Sequence, residues 1–293
     1  MRAGTAAPDA ASAPEAGQPA VHAIAEAAHA ADSLSLDELN ERSALLTRFD
    51  RSYLVPADTF LRVIGRLTRP RRHGEPFRAL AIDGRRSFRY HSVYYDTPEL
   101  RSFHDHRQGR RLRFKIRERC YEDSGERQFE VKLKGGRGDT VKQRCPLTGA
   151  ATPLDEEPRA FLADTLRRAY AIEAPALLRP SLSTDYLRTT FVADGERITC
   201  DAGLVCVDLR VHRHTVRCDS GLVLVETKSS EHLTEADRLL HAHGVRPAVF
   251  TKYCGALAVL SPALPANRWR RAAHRAFGAR AECPRGGAVR DGP

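Results

Sequence analysis

The sequence predicts an α+β fold in which about eight antiparallel strands form a closed β-barrel with a few flanking helices. Three observations predict it. Short segments that alternate apolar and polar residues recur between turn-forming residues, and only a few stretches of helical periodicity interrupt them. Successive strands also carry cations along one face. No solenoid-type repeat is present.

The composition limits the classes of protein to consider. The chain has 293 residues and a formal net charge of +10, which favours an anionic partner. No apolar run approaches the roughly 20 residues that span a bilayer, and the N-terminus lacks a secretory signal, so we expect a cytoplasmic protein. Seven cysteines without a Cys-x-x-Cys pair indicate reduced thiols. No motif typical of nucleic-acid binding stands out, so we expect no specific nucleic-acid partner.

The composition changes twice along the chain. Residues 1–42 are rich in Ala, Pro, Glu and Ser and are predicted to form a disordered leader with a short helix near Val21–Ala31. Residues 43–262 are predicted to form the globular domain. Residues 263–293, first rich in Arg and Ala and then in Gly and Pro, are predicted to be a basic, disordered tail that contains at most a short helix.

Four helices are predicted within the globular domain. Helix Ala57–Leu67 carries Phe60, Leu61, Ile64 and Leu67 on one side and follows the strand-ending Pro56. The others are predicted at Glu99–His106 after an Asp-Thr-Pro turn, at Pro158–Tyr170, and at Glu231–His243. We expect His104 and His106 on the surface of the short second helix.

The strands are predicted from period-two alternation and from the turns that bound them. They are Thr47–Pro56, Ser87–Tyr95, three strands within Arg110–Arg144, Ser183–Phe191, Arg197–Cys200, Leu204–Arg210, Gly221–Lys228 and Ala248–Tyr253.

The three strands of Arg110–Arg144 organise the rest of the chain. Side chains at i, i+2 and i+4 of a strand share a face. One face therefore carries Arg111, Arg113, Lys115, Arg117 and Arg119 on the first strand, Glu130, Lys132 and Lys134 on the second, and Lys142 and Arg144 on the third. A surface so positive indicates a polyanion, and phosphate chains are the natural candidate.

Alternation alone leaves the direction of this face open. If it points outward, it is a solvated basic surface. If it points inward, the interior is a cationic tunnel that must hold water, anions and a metal, because so many buried charges need compensation. Four carboxylates are interleaved with the cations: Asp50, Glu130, Asp201 and Glu226.

A family resemblance favours the inward arrangement. Eight motifs occur in family order: R-x-D-x-S-Y-L-V-P (48–56), S-V-Y-Y-D-T-P-E-L (92–100), H-x-x-G-R-R-L-R-F-K-I-R-x-R (106–119), F-E-V-K-L-K (129–134), L-R-P-x-L-x-x-x-Y-x-R (178–188), R-I-T-C-D (197–201), L-V-E-T-K (224–228) and F-T-K-Y (250–253). Together they resemble the VTC domain, the polyphosphate polymerase domain of the vacuolar transporter chaperone complex, in the CYTH or triphosphate tunnel metalloenzyme superfamily.

The resemblance implies roles for individual residues. The catalytic phosphate-gripping set would be Arg113, Lys115, Arg117, Lys132, Arg188 and Arg197. Further phosphate contacts would come from Lys142, Arg144, Lys228, Lys252 and Arg48. Glu226 matches the family's metal-binding glutamate, and Glu130 is a second acidic candidate; the cofactor would be Mn²⁺ or Mg²⁺. We expect Arg111, Arg119 and Lys134 to form surface ion pairs instead.

The resemblance also implies an activity. The chain would transfer the γ-phosphate of ATP to polyphosphate inside the tunnel, and coupling to export would need a membrane-protein partner. The alternatives are an inorganic or nucleoside triphosphatase of the same fold, and a non-catalytic module that binds polyphosphate or nucleotide. One departure favours the last: Ser52 stands where the family usually has a lysine.

Overall fold

The computed structural model describes residues 18–42, 49–70, 74–135, 140–193, 195–210, 213–229 and 233–278. In chain order these residues form α1 (Pro19–Ala30), β1 (Ser33–Leu34), α2 (Leu36–Arg42), β2 (Phe49–Pro56), α3 (Ala57–Leu67), β3 (Arg78–Leu80), β4 (Phe88–Asp96), α4 (Arg101–Gln108), β5 (Arg113–Tyr121), β6 (Glu126–Lys134), β7 (Thr140–Pro146), α5 (Glu156–Tyr170), β8 (Arg179–Ala193), β9 (Glu196–Asp208), β10 (Thr215–Arg217), β11 (Leu222–Ser229), α6 (Glu235–Ala242), α7 (Lys252–Leu260) and α8 (Asn267–Phe277).

The strands form one curled antiparallel sheet that does not close. Its main path runs β2-β11-β9-β8-β4-β5-β6-β7, and the short β1, β3 and β10 attach to its side. Within the described residues, the end strands β2 and β7 share no hydrogen-bonded ladder. The prediction of a closed barrel is therefore wrong, and the fold is an open half-barrel. Alternation fixes which side chains share a face, whereas closure depends on strand tilt and stagger.

The two faces of the sheet bury different cores. The convex face packs against α1, α3 and α6 around Tyr53, Phe60 and Phe191, and against α5 around Phe129. The concave face packs against α4, α7 and α8 around Trp269 and neighbouring apolar side chains. The concave interior is therefore lined by the sheet on one side and by three helices on the other.

One predicted element has the wrong type. Residues 248–253 are not a strand: α7 begins at Lys252, capped by the Thr251 hydroxyl, which accepts a hydrogen bond from Cys254 N at 3.2 Å. The alternation of 248–253 was too short to distinguish a strand from an extended approach to a helix. The Gly255 hydrogen lies against the Phe250 ring, where a Cβ would clash.

The short helix after β4 begins later than predicted. Leu100 adopts a left-handed conformation, with φ of 58°, and α4 starts only at Arg101. Asp96 at the end of β4 caps this helix: its carboxylate accepts hydrogen bonds from Ser102 N at 2.9 Å and Phe103 N at 3.1 Å. The aspartate of the Asp-Thr-Pro turn thus fixes the orientation of α4 toward the interior.

Parts of both predicted disordered ends are structured. Helix α1 buries Ile24 and Ala28 in the convex core, so the disorder expected of the leader does not hold for residues 18–42. Helix α8 buries Trp269 and Phe277 against the concave core, and the short helix allowed in the tail is therefore packed. The domain boundaries at 43 and 262 remain predictions, and residues 1–17 and 279–293 lie outside the described part.

Candidate functional site

A cavity of about 320 Å³ opens in the gap between the two ends of the sheet. Its polar wall is formed by side chains of β2, β5, β6 and β11, with His106 and Arg268 from the helices. Lys132 Nζ on β6 lies 3.8 Å from Asp50 Oδ2 on β2, so an ion pair spans the gap that no backbone ladder closes. The cationic face predicted from the strands Arg113–Tyr121 and Glu126–Lys134 is therefore the face that lines the cavity.

The predicted site residues occupy three zones. The cavity itself is lined by Arg113, Lys115, Lys132 and Glu226. A second group surrounds Glu130 and contains Arg117, Lys142 and Arg144. A third group lies toward β8 and β9 and contains Arg188, Lys228 and Lys252, with Arg197 opposite Lys228 in the β9–β11 register. Arg48 lies outside the described residues.

Glu130 is the centre of a buried cationic cluster. Its side chain is 1% exposed, and Oε2 accepts from Arg117 Nε at 2.7 Å while Oε1 accepts from Lys142 Nζ at 3.1 Å. Arg144 and Arg119 lie 3.4 Å and 3.9 Å from the carboxylate. Burial alone would raise the pKa of Glu130, but the surrounding cations outweigh it and hold that pKa well below its ordinary value.

Asp201 is the shared carboxylate partner of cations in the third group. Arg188 donates to it through Nε at 2.6 Å and Nη2 at 2.7 Å, and Lys252 Nζ also pairs with it. Arg188 stacks over the rings of Tyr90 and Tyr186, which lie parallel at 5.4 Å. Burial by itself would raise the pKa of Asp201, but Arg188 and Lys252 outweigh it and lower that pKa to about 2. These contacts hold the cations in fixed orientations.

Glu226 and Asp50 differ from those two carboxylates because both line the cavity. Glu226 pairs with Lys228, whose Nζ also donates to Thr199 Oγ1 at 3.0 Å. In the β2–β11 register Glu226 faces Ser52, so Asp50, two residues along β2, is its diagonal neighbour on the same face. Carboxylate oxygens are the ligands that Mg²⁺ and Mn²⁺ prefer, so this donor pair fits a hard divalent cation.

Burial adjusts the protonation of the cavity wall. Desolvation lowers the pKa of Lys115 to about 8, with further lowering by Lys132 and Arg113. Desolvation and the charge of Lys115 lower the pKa of His106 to about 2, so its imidazole is neutral near pH 7. His106 Nδ1 lies 2.8 Å from the Ser102 carbonyl, which can only accept, so Nδ1 carries the proton and Nε2 is left as an acceptor.

Another part of the cavity lining is apolar. It is formed by Pro247, Ala248, Val249 and Phe250 before α7 and by Trp269 of α8. Val249 is 53% exposed, which leaves its side chain available to a ligand. The cavity therefore combines a cationic wall with an apolar one.

Several residues of the site were not predicted. Arg119, expected in a surface ion pair, is 4% exposed and donates to Tyr186 Oη at 3.0 Å. His106, expected on a helix surface, lines the cavity, as do Lys134 and Arg268. For Arg119 the period-two pattern carried the signal, since it continues the row of Lys115 and Arg117. For Arg268 and the apolar wall no sequence signal was available, because α7 and α8 reach the site only through tertiary packing.

An open half-barrel whose concave face holds clustered cations and cavity-facing carboxylates has the chemistry of a protein that binds phosphate groups. The sequence matches the VTC domain over residues 33–261. The chain therefore belongs to the VTC domain family, as the motif order predicted. Family membership supports a triphosphate-tunnel phosphotransferase or triphosphatase and does not distinguish the two reactions. No curated protein sequence matches the chain.

The solved structures that match this chain share little sequence with it. A putative adenylate cyclase from Vibrio parahaemolyticus has 15% identity over 68% of this chain and 87% of that one, with a TM-score of 0.34. A putative adenylyl cyclase from Hippeastrum, described as having a dominant triphosphatase activity, has 13% identity over 76% and 99%, with a TM-score of 0.38. PH1012 from Pyrococcus horikoshii has 8% identity over 67% and 87%, with a TM-score of 0.35. Similarity at this level carries no argument about function.

Among the described helices, none combines the length and the apolar character needed to cross a membrane.

Proposed function

We propose that this protein is a metal-dependent phosphotransferase that moves the γ-phosphate of ATP to the end of a polyphosphate chain. The observation that supports it most is the mixed lining of the cavity, which combines Arg113, Lys115 and Lys132 with two carboxylates and a group of apolar side chains. Inorganic triphosphate would use only the cations. A nucleoside triphosphate would use the apolar wall as well, for its base.

The reaction needs positioning and charge compensation more than covalent chemistry. Arg113 and Lys115 would hold the nucleotide phosphates, and the arginines around Glu130 and Asp201 would hold the chain that accepts the phosphoryl group. A terminal polyphosphate oxygen forms a bond to the γ-phosphorus while the bond from that phosphorus to the β–γ bridging oxygen breaks, releasing ADP. Glu226 and Asp50 would hold Mn²⁺ or Mg²⁺, which when bound offsets the phosphate charge.

We propose a structural rather than a metal-binding role for Glu130. Both of its oxygens are bonded to cations in a buried setting. A divalent ion there would have to displace those cations and meet their repulsion. Glu130 instead holds Arg117, Lys142 and Arg144 in the orientation in which they can receive phosphates.

The experiment that tests the proposal is incubation of the purified chain with ATP and Mn²⁺, followed by gel analysis for polyphosphate and a free-phosphate assay. Chains longer than the substrate support the polymerase. Free phosphate without chains identifies the triphosphatase, in which water replaces the polymer end. Bound ATP or tripolyphosphate with no product identifies a binding module, the alternative that Ser52 favours.

The apolar wall leads to a prediction about the nucleotide. Replacing Val249 with serine removes apolar contact from an exposed position that is not part of the core. We expect the affinity for ATP to fall several-fold and the affinity for tripolyphosphate to stay unchanged, measured by calorimetry without divalent metal. Val141→Ser, on another exposed valine outside the cavity lining, is the control. An equal loss for both ligands would show that the base does not use this wall.

Ser52 leads to a second prediction. It lines the cavity opposite Glu226 in the β2–β11 register, so a lysine there would place a further cation near the bound phosphates. We expect Ser52→Lys to raise the affinity for tripolyphosphate about tenfold, the gain of one charge-assisted hydrogen bond. Ser52→Gln adds length without charge and is the control. If both variants bind tripolyphosphate with the same affinity, a cation at position 52 does not contribute to phosphate binding.

The lowered pKa of Lys115 leads to a third prediction. At pH 7 the amine, with a pKa of about 8, is mostly protonated, and at pH 9 it is mostly neutral in the free protein. We expect the affinity for tripolyphosphate to fall between pH 7 and 9 and binding near pH 8 to take up protons, measured by calorimetry in buffers of different ionisation enthalpy. Lys115→Arg keeps its charge and should flatten the profile. A wild-type affinity that is constant over this range would contradict the assignment.

A further inference from the structure

A second group of metal-ligating side chains lies outside the tunnel. His91 on β4, Asp185 on β8 and Glu122 after β5 each place one ligand atom within 4.8 Å of the others. His91 Nδ1 and Asp185 Oδ1 are 2.6 Å apart, and the two residues face each other in the β4–β8 register. The fold brings these residues together from two strands and the turn after a third, and His91 and Asp185 are 94 positions apart in the sequence.

This cluster is on the convex side of the sheet. Tyr90 and Tyr186, the immediate neighbours of His91 and Asp185, point into the concave side, where they contact Arg188. Because successive side chains of a strand alternate, His91 and Asp185 point the other way. The cluster therefore cannot take part in phosphoryl transfer in the tunnel. It also contains an imidazole, whereas Glu226 and Asp50 offer only carboxylate oxygens.

We propose that His91, Glu122 and Asp185 form a binding site for a transition-metal ion of the Zn²⁺ type that links β4, β5 and β8. An imidazole nitrogen with two carboxylates is a ligand set of zinc sites, whereas Mg²⁺ and Ca²⁺ prefer oxygen ligands alone. Asp185 Oδ2 is buried and has no hydrogen-bond partner among the described residues, so that oxygen has unused capacity for a cation. Glu122 is exposed and gives the ion an entry path.

The geometry requires only small movements. Ligand atoms about 2.0–2.2 Å from a tetrahedral Zn²⁺ lie about 3.5 Å apart. The ligand atoms that are now up to 4.8 Å apart would therefore move closer by about 1 Å, and the 2.6 Å contact between His91 and Asp185 would lengthen. Cys120 is the cross-strand partner of His91 in the β4–β5 register, on the same face, and is a free thiol. Its Sγ is not one of the ligand atoms that lie within 4.8 Å of one another, so it would have to rotate toward the ion to become the fourth ligand, and water is the alternative.

The test is metal binding by the full chain after removal of metal with a chelator. Wild type should bind one equivalent of Zn²⁺ at this site, and Co²⁺ in its place should give the visible absorption of a tetrahedral ion. His91→Gln and Glu122→Gln should each weaken Zn²⁺ binding at least about tenfold, because even the loss of a residue that only hydrogen-bonds to a metal ligand lowers metal affinity by about that much. Glu122 is exposed, so that variant should fold even if replacement of His91 disturbs the sheet.

His22→Gln is the matched control, because His22 Nε2 also lies near a carboxylate, that of Glu26 at 3.9 Å, but at an exposed position of α1. It should leave Zn²⁺ binding unchanged. A Cys120→Ser variant that loses the near-ultraviolet thiolate band of the Co²⁺ form would make the thiol the fourth ligand. Zn²⁺ affinity that is the same in wild type, His91→Gln and Glu122→Gln would overturn the proposal and leave His91–Asp185 as an ion pair.

Discussion

Glu226→Gln should reduce turnover with ATP and Mn²⁺ by about a hundredfold or more, the loss typical of removing one preorganised charge-stabilising group. Glu226 lines the cavity beside Asp50 and is a carboxylate that a divalent ion can reach. Tripolyphosphate binding without metal should persist or strengthen, because the variant removes a negative charge from a cationic wall. Steady-state rates and metal-free calorimetry measure the two effects separately.

The control for this variant is Glu157→Gln, which makes the same change on the exposed surface of α5. It should leave the rate unchanged. Turnover that is equally fast in Glu226→Gln and wild type would remove Glu226 from the metal site. Loss of turnover together with loss of metal-free binding would instead show that Glu226 orients the cations, through Lys228.

Glu130→Gln should destabilise the fold by about 3–5 kcal/mol, the usual cost of removing one partner of a buried ion pair. The change leaves Arg117, Lys142 and Arg144 close together without their shared counter-charge. Urea unfolding, followed by circular dichroism, measures the difference. The same unfolding experiment on Glu157→Gln should show a change within about 0.5 kcal/mol.

This experiment also separates the two roles considered for Glu130. A large loss of stability, partly restored by bound tripolyphosphate, fits a residue that organises cations, because the ligand would supply the missing negative charge. Unchanged stability with loss of Mn²⁺-dependent turnover would make Glu130 a metal ligand after all.

The sequence by itself determined the local structure and the chemistry of one face. Period-two alternation placed Arg113, Lys115 and Arg117 together, and the amphipathic pattern gave α3 its bounds at Ala57–Leu67. The order of eight motifs gave the family, which the match over residues 33–261 confirmed. These features depend on residues close together in the chain, where spacing fixes geometry.

Only the tertiary structure decided how those parts meet. The sheet stays open, since tilt and stagger are not encoded in alternation, and the gap becomes the cavity. Asp201 is bonded to Lys252 from 51 residues away, and Glu130 to several cations at once, so the cavity keeps Glu226 and Asp50 as its lining carboxylates. Pairing of charges depends on distances between strands and helices remote in sequence, and such distances are set only when the whole chain packs.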